Sequence, residues 1–77
     1  MTTQVAKMFE VYGEAHNGAR HQLGLYFGKD KAQAERKAKR DYPDYIEFNA
    51  MLYRKMTKGE FYENFYHHQY NWSEVAS

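Results

Sequence analysis

The chain has 77 residues, with 11 Lys or Arg against 10 Asp or Glu for a net charge of +1; 43% of residues are hydrophobic, including 8 Tyr, 5 Phe and 1 Trp, and there is no Cys. This leaves room for one small domain over residues 1–77 and excludes a disulfide scaffold, a thiolate metal site and a thiol nucleophile. Only seven branched aliphatics occur (Val5, Val11, Leu23, Leu25, Ile46, Leu52 and Val75), so aromatic rings must supply most of the buried area.

Residues Val5 to Gly13 alternate, with Phe9 and Val11 on one side and Met8, Glu10 and Tyr12 on the other. A period of two predicts a half-buried strand. His16-Asn17-Gly18-Ala19 follows, and Asn-Gly supplies two residues tolerant of positive φ, the signature of a hairpin turn. The second strand, His21 to Phe27, is expected to point Leu23, Leu25 and Phe27 inward and Gln22 and Tyr26 outward.

Gly28-Lys29-Asp30 stops that strand, with Asp30 as the N-cap of a helix over residues 31–42, a stretch rich in Ala, Lys, Arg, Glu and Gln. Ala34, Ala38 and Tyr42 share one helical face, small enough to sit close on a sheet. Lys29, Arg36, Lys39 and Arg40 lie opposite, with Glu35 and Lys39 spaced for an i,i+4 pair, and Pro43 forbids continuation. Tyr45 to Tyr53 alternates again, with Ile46, Phe48, Ala50 and Leu52 on one face and Glu47, Asn49, Met51 and Tyr53 on the other. This is the third strand.

Thr57-Lys58-Gly59-Glu60 fits a capping box. Beyond it Phe61, Phe65, His68 and Trp72 fall within a narrow helical arc, which predicts a second amphipathic helix over residues 57–72. The rival is a hairpin turning at Lys58-Gly59, since aromatic residues favour strands; it explains the apolar pattern less well.

The order is thus β-β-α-β-α, an α+β fold. A right-handed crossover sets the third strand beside the first, giving a three-stranded antiparallel sheet of order 2-1-3. Both helices are expected on one face of that sheet. The other face then exposes Met8, Tyr12, Gln22, Tyr26, Asn49, Met51 and Tyr53.

On this open face Tyr12, Tyr26, Met51 and Tyr53 form the expected contact surface, because flat Tyr- and Met-bearing patches suit protein partners or self-association. Three strand tyrosines also resemble a stacking platform for single-stranded bases, with Lys29, Arg36, Lys39 and Arg40 to track phosphates or an acidic partner. Against that second reading, the near-neutral balance lacks the basic excess of nucleic-acid binders, and the stripe is also what a solvated helix face looks like. Charge is nonetheless uneven. Residues 29–40 hold Lys29, Lys31, Arg36, Lys37, Lys39 and Arg40 against Asp30 and Glu35, whereas residues 60–77 hold Glu60, Glu63 and Glu74 with no Lys or Arg. Segments of opposite sign can orient a partner or a second copy.

Chemistry is less well provided for. Neighbouring His67 and His68 point about 100° apart on a helix, and Glu63 with His67 is one pair where a metal needs three or four ligands. His16 and His21 flank the turn, and Ser73 and Ser77 have no nucleophile elbow around them. The expectation is a non-enzyme with no metal, no cofactor, no small-molecule substrate and no membrane span. No signal-peptide-length apolar run is present, which makes the cytoplasm the expected setting. The hairpin followed by an Ala-rich helix is similar to small α+β adaptor modules, over about half the chain. Short, Cys-free, aromatic-rich chains also resemble bacteriophage accessory proteins that bind and inhibit host machinery. The resemblance implies a protein-binding adaptor or inhibitor module; the alternative is a single-stranded nucleic-acid-binding protein.

Overall fold

A computed structural model describes residues 4–65, Trp72 and Ala76. Its elements are β1 (Ala6–Glu14), β2 (Arg20–Phe27), α1 (Lys31–Asp41), β3 (Glu47–Met56) and α2 (Lys58–Phe65). The fold is α+β in the order β-β-α-β-α. The three strands pair antiparallel in the order β2-β1-β3.

Local chemistry sets the joints. In the hairpin, Gly18 takes φ +86°, a left-handed conformation that L side chains rarely adopt. The Asn17 carboxamide accepts from the Ala19 amide at 3.0 Å and holds the turn in register. Asp30 caps α1 by accepting from the Gln33 amide at 2.8 Å, and Gln33 reaches back to the Lys29 amide at 2.6 Å. At the far end the Tyr42 amide donates to the Ala38 carbonyl, and Pro43 follows. Thr57 and Glu60 exchange the two bonds of a capping box, Glu60 N–H to the Thr57 hydroxyl at 3.3 Å and Thr57 N–H to the Glu60 carboxylate at 3.2 Å. Residues 58–65 are therefore helical. The remainder of the 57–72 stretch, His68 included, lies outside the described residues apart from Trp72.

The helices do not share a face. Neighbours on a strand point to opposite sides of the sheet, so β1 divides its side chains between two cores. Phe9 and Val11 pack with Leu23, Ala50, Ala34 and Ala38, with Tyr26, Tyr45 and Phe48 at the margin. Ala34 and Ala38, both fully buried, let α1 lie directly on this side. Ala6 and Met8 point the other way and pack with Phe27, Met56 and Phe61, against which Trp72 rests. Placing both helices on one face took Met8 for a surface residue, whereas it is the floor under the Phe61 ring.

Two β-bulges explain the other departures. The β1–β2 register jumps from Val11↔Gly24 to Tyr12↔Gln22, leaving an extra residue in β2 at Leu23; Gly24 takes φ +139° there. A bulge reverses the alternation beyond it. Leu23 faces α1, but Tyr26 then joins it on that side, and Leu25 and Phe27 turn to the side of Met8. The inward set Leu23, Leu25, Phe27 expected from unbroken alternation is thus split between the faces. In β3, Phe9↔Leu52 is followed by Met8↔Arg54, which leaves Tyr53 extra and carries the strand on to Met56 rather than ending it at Tyr53.

Candidate functional site

The two helices are offset along β1. α1 lies over the Phe9–Gly13 half of one face, and Phe61 of α2 seals the Ala6–Met8 end of the other. The rest of the second face carries Glu10 and Tyr12 from β1, Gln22 and Leu25 from β2, and Asn49 and Met51 from β3. This follows from the pairs Glu10↔Leu25, Glu10↔Met51, Tyr12↔Gln22 and Tyr12↔Asn49. Leu25 is 41% exposed, Met51 60% and Tyr53 57%, which makes an apolar strip left in solvent beside a sealed core.

Where the strip meets α2 it deepens into a groove of about 320 Å³ lined by Met8, Leu25, Phe27, Tyr53, Arg54, Met56 and Asn64. Arg54 at this groove forms an ion pair with Glu60 of α2 at 2.7 Å. The hydrogen bond from Arg54, followed by that from the Thr57 amide, holds the Glu60 carboxyl below its ordinary range. At the other end of the strip the Tyr12 phenol donates to the Glu10 carboxylate. That hydrogen bond, then desolvation and the Glu10 charge, raises the Tyr12 phenol above its usual value.

Of the four residues expected to form the contact surface, Tyr12, Met51 and Tyr53 come together here. Tyr26 does not: the bulge at Gly24 turns it toward α1, where its hydroxyl donates to Asp41 at 2.9 Å. Its place on the open face is taken by Leu25, which unbroken alternation puts in the core. The signal for the exchange was Gly24, a glycine inside a strand pattern and hence a bulge candidate. Tyr45 was a second omission; it lies edge-on to His21 at 5.9 Å and closes over Gly13, where an added Cβ would stand 2.8 Å from its ring.

The basic residues lie away from the strip. Arg36 and Lys39 border a trough between α1 and the start of β3, together with Ala32, Glu35, Ile46, Glu47 and Phe48. Lys39 and Arg40 occupy the last turn of α1, where they complement the helix dipole. The Lys29 carbonyl is approached by Lys7 Nζ at 3.5 Å. Glu35, which the i,i+4 spacing paired with Lys39, instead accepts from the Ala50 amide at 2.9 Å. Tyrosine platform and cationic stripe are therefore on opposite sides of the sheet; the Tyr12 hydroxyl donates to Glu10, and the charge of Arg20 also acts on it.

Among the described residues no three His, Asp or Glu side chains are placed to hold a metal ion. His16 is exposed in the turn, while His67, His68, Ser73 and Ser77 lie outside the described residues. No described helix is long and apolar enough to cross a membrane. Comparison of the chain with models of known protein families, with curated proteins and with solved structures found no match in any of the three.

Proposed function

We propose that the protein is a non-catalytic protein-binding module, an adaptor or inhibitor of the bacteriophage accessory type, whose contact face is the uncovered strip of the sheet. The observation that carries this is the exposure of Leu25, Met51 and Tyr53 on one half-face, beside a groove whose floor is already apolar. In a domain with so few aliphatics, leaving three large apolar groups about half in solvent forgoes roughly half of the ~1.5–3 kcal/mol that full burial of such a side chain is worth. A partner that covers them recovers that burial. Tyr and Met are also the residues that recur at interface centres, the first for rigid area and the second for adaptability. The setting we propose is the cytoplasm, which fractionation of the producing cell checks separately.

The test is capture of a protein partner from host lysate, with nuclease present, on wild-type and variant baits. Tyr53→Ala is expected to weaken capture by about tenfold, the size of a modest interface hot spot. Tyr26→Phe, altered only on the α1 side, is expected to capture as wild type does. Equal capture by Tyr53→Ala, or capture abolished by the nuclease, overturns the reading. Sedimentation of the wild-type protein over a range of concentrations reports whether the partner is a second copy.

A further inference from the structure

The outer edge of β3 offers a different kind of surface. Among the described residues no strand pairs with it, since β3 stands last in the order β2-β1-β3. The Ala50 amide points off this edge, because its acceptor is Glu35 of α1 and not a residue of β1. By the two-residue period of a strand, the amide and carbonyl of Phe48 point the same way. An exposed edge of this kind is a template for another extended chain. Above it runs the trough of about 350 Å³ between α1 and β3. Ile46 at its mouth is 54% exposed. Arg36 and Lys39, one helical turn apart on its wall, are exposed and have no hydrogen-bond or ion-pair partner among the described residues.

We propose that this trough takes an extended acidic segment of a partner protein as a fourth strand on β3, with its carboxylates against Arg36 and Lys39, and that Glu35 occupies the edge until the segment displaces it. Strand addition supplies backbone hydrogen bonds from Phe48 and Ala50, while alternate side chains meet the helix above. The sign of the charge selects the occupant. On the helix wall Arg36 and Lys39 favour carboxylates, while the trough's own carboxylates are Glu35, engaged with the Ala50 amide, and Glu47 at the start of β3; a second copy of this chain is disfavoured because its own β3 carries Arg54 and Lys55. Antiparallel self-pairing about Ala50 would set Arg54 of one copy opposite Ile46 of the other, beside Arg36 and Lys39. Glu35 acts as a built-in competitor: its carboxylate sits where an incoming backbone carbonyl would bind. This surface is separate from the open strip, and neither proposal depends on the other.

The test is titration of isotope-labelled protein with a short peptide alternating valine and glutamate, and with its valine–lysine counterpart, followed by amide resonances. The glutamate peptide is expected to shift the Phe48, Ala50 and Leu52 amides, and the lysine peptide to leave them in place. Reversing both cations (Arg36→Glu with Lys39→Glu) should weaken binding about tenfold or more, and the milder Arg36→Gln about threefold. Glu35→Ala should strengthen binding about threefold and speed exchange of the Ala50 amide in the free protein. Equal response to both peptides, no response at these amides, shifts confined to Met51 and Leu25, or concentration-dependent dimerisation through the same edge would each overturn the proposal.

Discussion

Among the described residues each face of the sheet is half covered, and the two uncovered halves differ in kind. On the α1 side the bare end carries Lys7 opposite Lys55, followed by Leu52. On the α2 side it carries Tyr12, Leu25, Met51 and Tyr53. The reason for partial cover is length. α1 has 11 residues and α2 has 8 in its described part, against 10 in β3. Helices of that size run about 12–16 Å where the strand runs about 33 Å. Neither described helix spans a whole face, and the two lie toward opposite ends of β1 on opposite sides of the sheet. At one bare half the chain meets solvent with lysines, as surfaces ordinarily do. At the other it presents rings and thioethers. The two half-faces thus differ in composition, lysines on one and exposed apolar groups on the other.

The covered halves are sealed by different means, and substitutions can separate them. The largest effect is expected for Phe61→Ala. Phe61 is only 2% exposed and meets Phe27 edge-on at 5.8 Å and Trp72 at 5.5 Å. Its loss should cost about 3–5 kcal/mol by denaturant unfolding, a large share of what so small a domain has. On the α1 side the corresponding weak point is a close approach, not a ring. Gly13→Ala would drive a methyl to 2.8 Å from both Leu23 Cδ1 and the Tyr45 ring, so we expect a loss of about 1–3 kcal/mol from overpacking. If Gly13→Ala proved harmless, the tight seal attributed to that side would be wrong.

A smaller effect tests the tie between β3 and α2. The Glu60 carboxyl titrates below its ordinary value of 4.5 in the folded protein because Arg54 and the Thr57 amide favour its charged form. The folded state then binds fewer protons than the unfolded state at mildly acid pH. The stabilisation is complete above the ordinary carboxyl value and is lost as pH falls through the lowered folded value. Glu60→Gln should flatten the acid limb of the stability curve and leave the neutral and alkaline limbs parallel to wild type. An unchanged acid limb would mean that the ion pair is fully screened by solvent.

Much of the fold was legible because its local signals are chemical. Asn17-Gly18, Asp30, Pro43 and the Thr57–Glu60 box each specify a backbone conformation or terminate an element through hydrogen bonds made within a few residues. Strand order followed from one handedness rule. What alternation could not deliver was parity across a bulge. Gly24 and Tyr53 each reverse the sense of the residues after them, and so Tyr26 and Leu25 exchanged faces; Met8 kept its face and became floor because α2 packs there. The helix placement failed for the same reason: with Leu25 and Phe27 assigned to the α1 side, nothing on the other side seemed to need covering. The open strip was legible at Tyr12, Met51 and Tyr53, which precede the bulges or lie at one, and illegible at Leu25, which follows one. The edge of β3 left no mark in the hydropathy pattern, because a backbone amide that points off a sheet has no side-chain signature.

The claim that the bare half-face bearing Met51 is a contact surface, and the one bearing Lys55 is not, is tested most directly by paired charge substitutions on one strand. Met51→Glu and Lys55→Glu should each leave unfolding stability within about 0.5 kcal/mol of wild type, as exposed positions do. Met51→Glu should abolish capture of the protein partner that wild type retains, and Lys55→Glu should preserve it. Retention of the partner by Met51→Glu at undiminished stability would contradict the account.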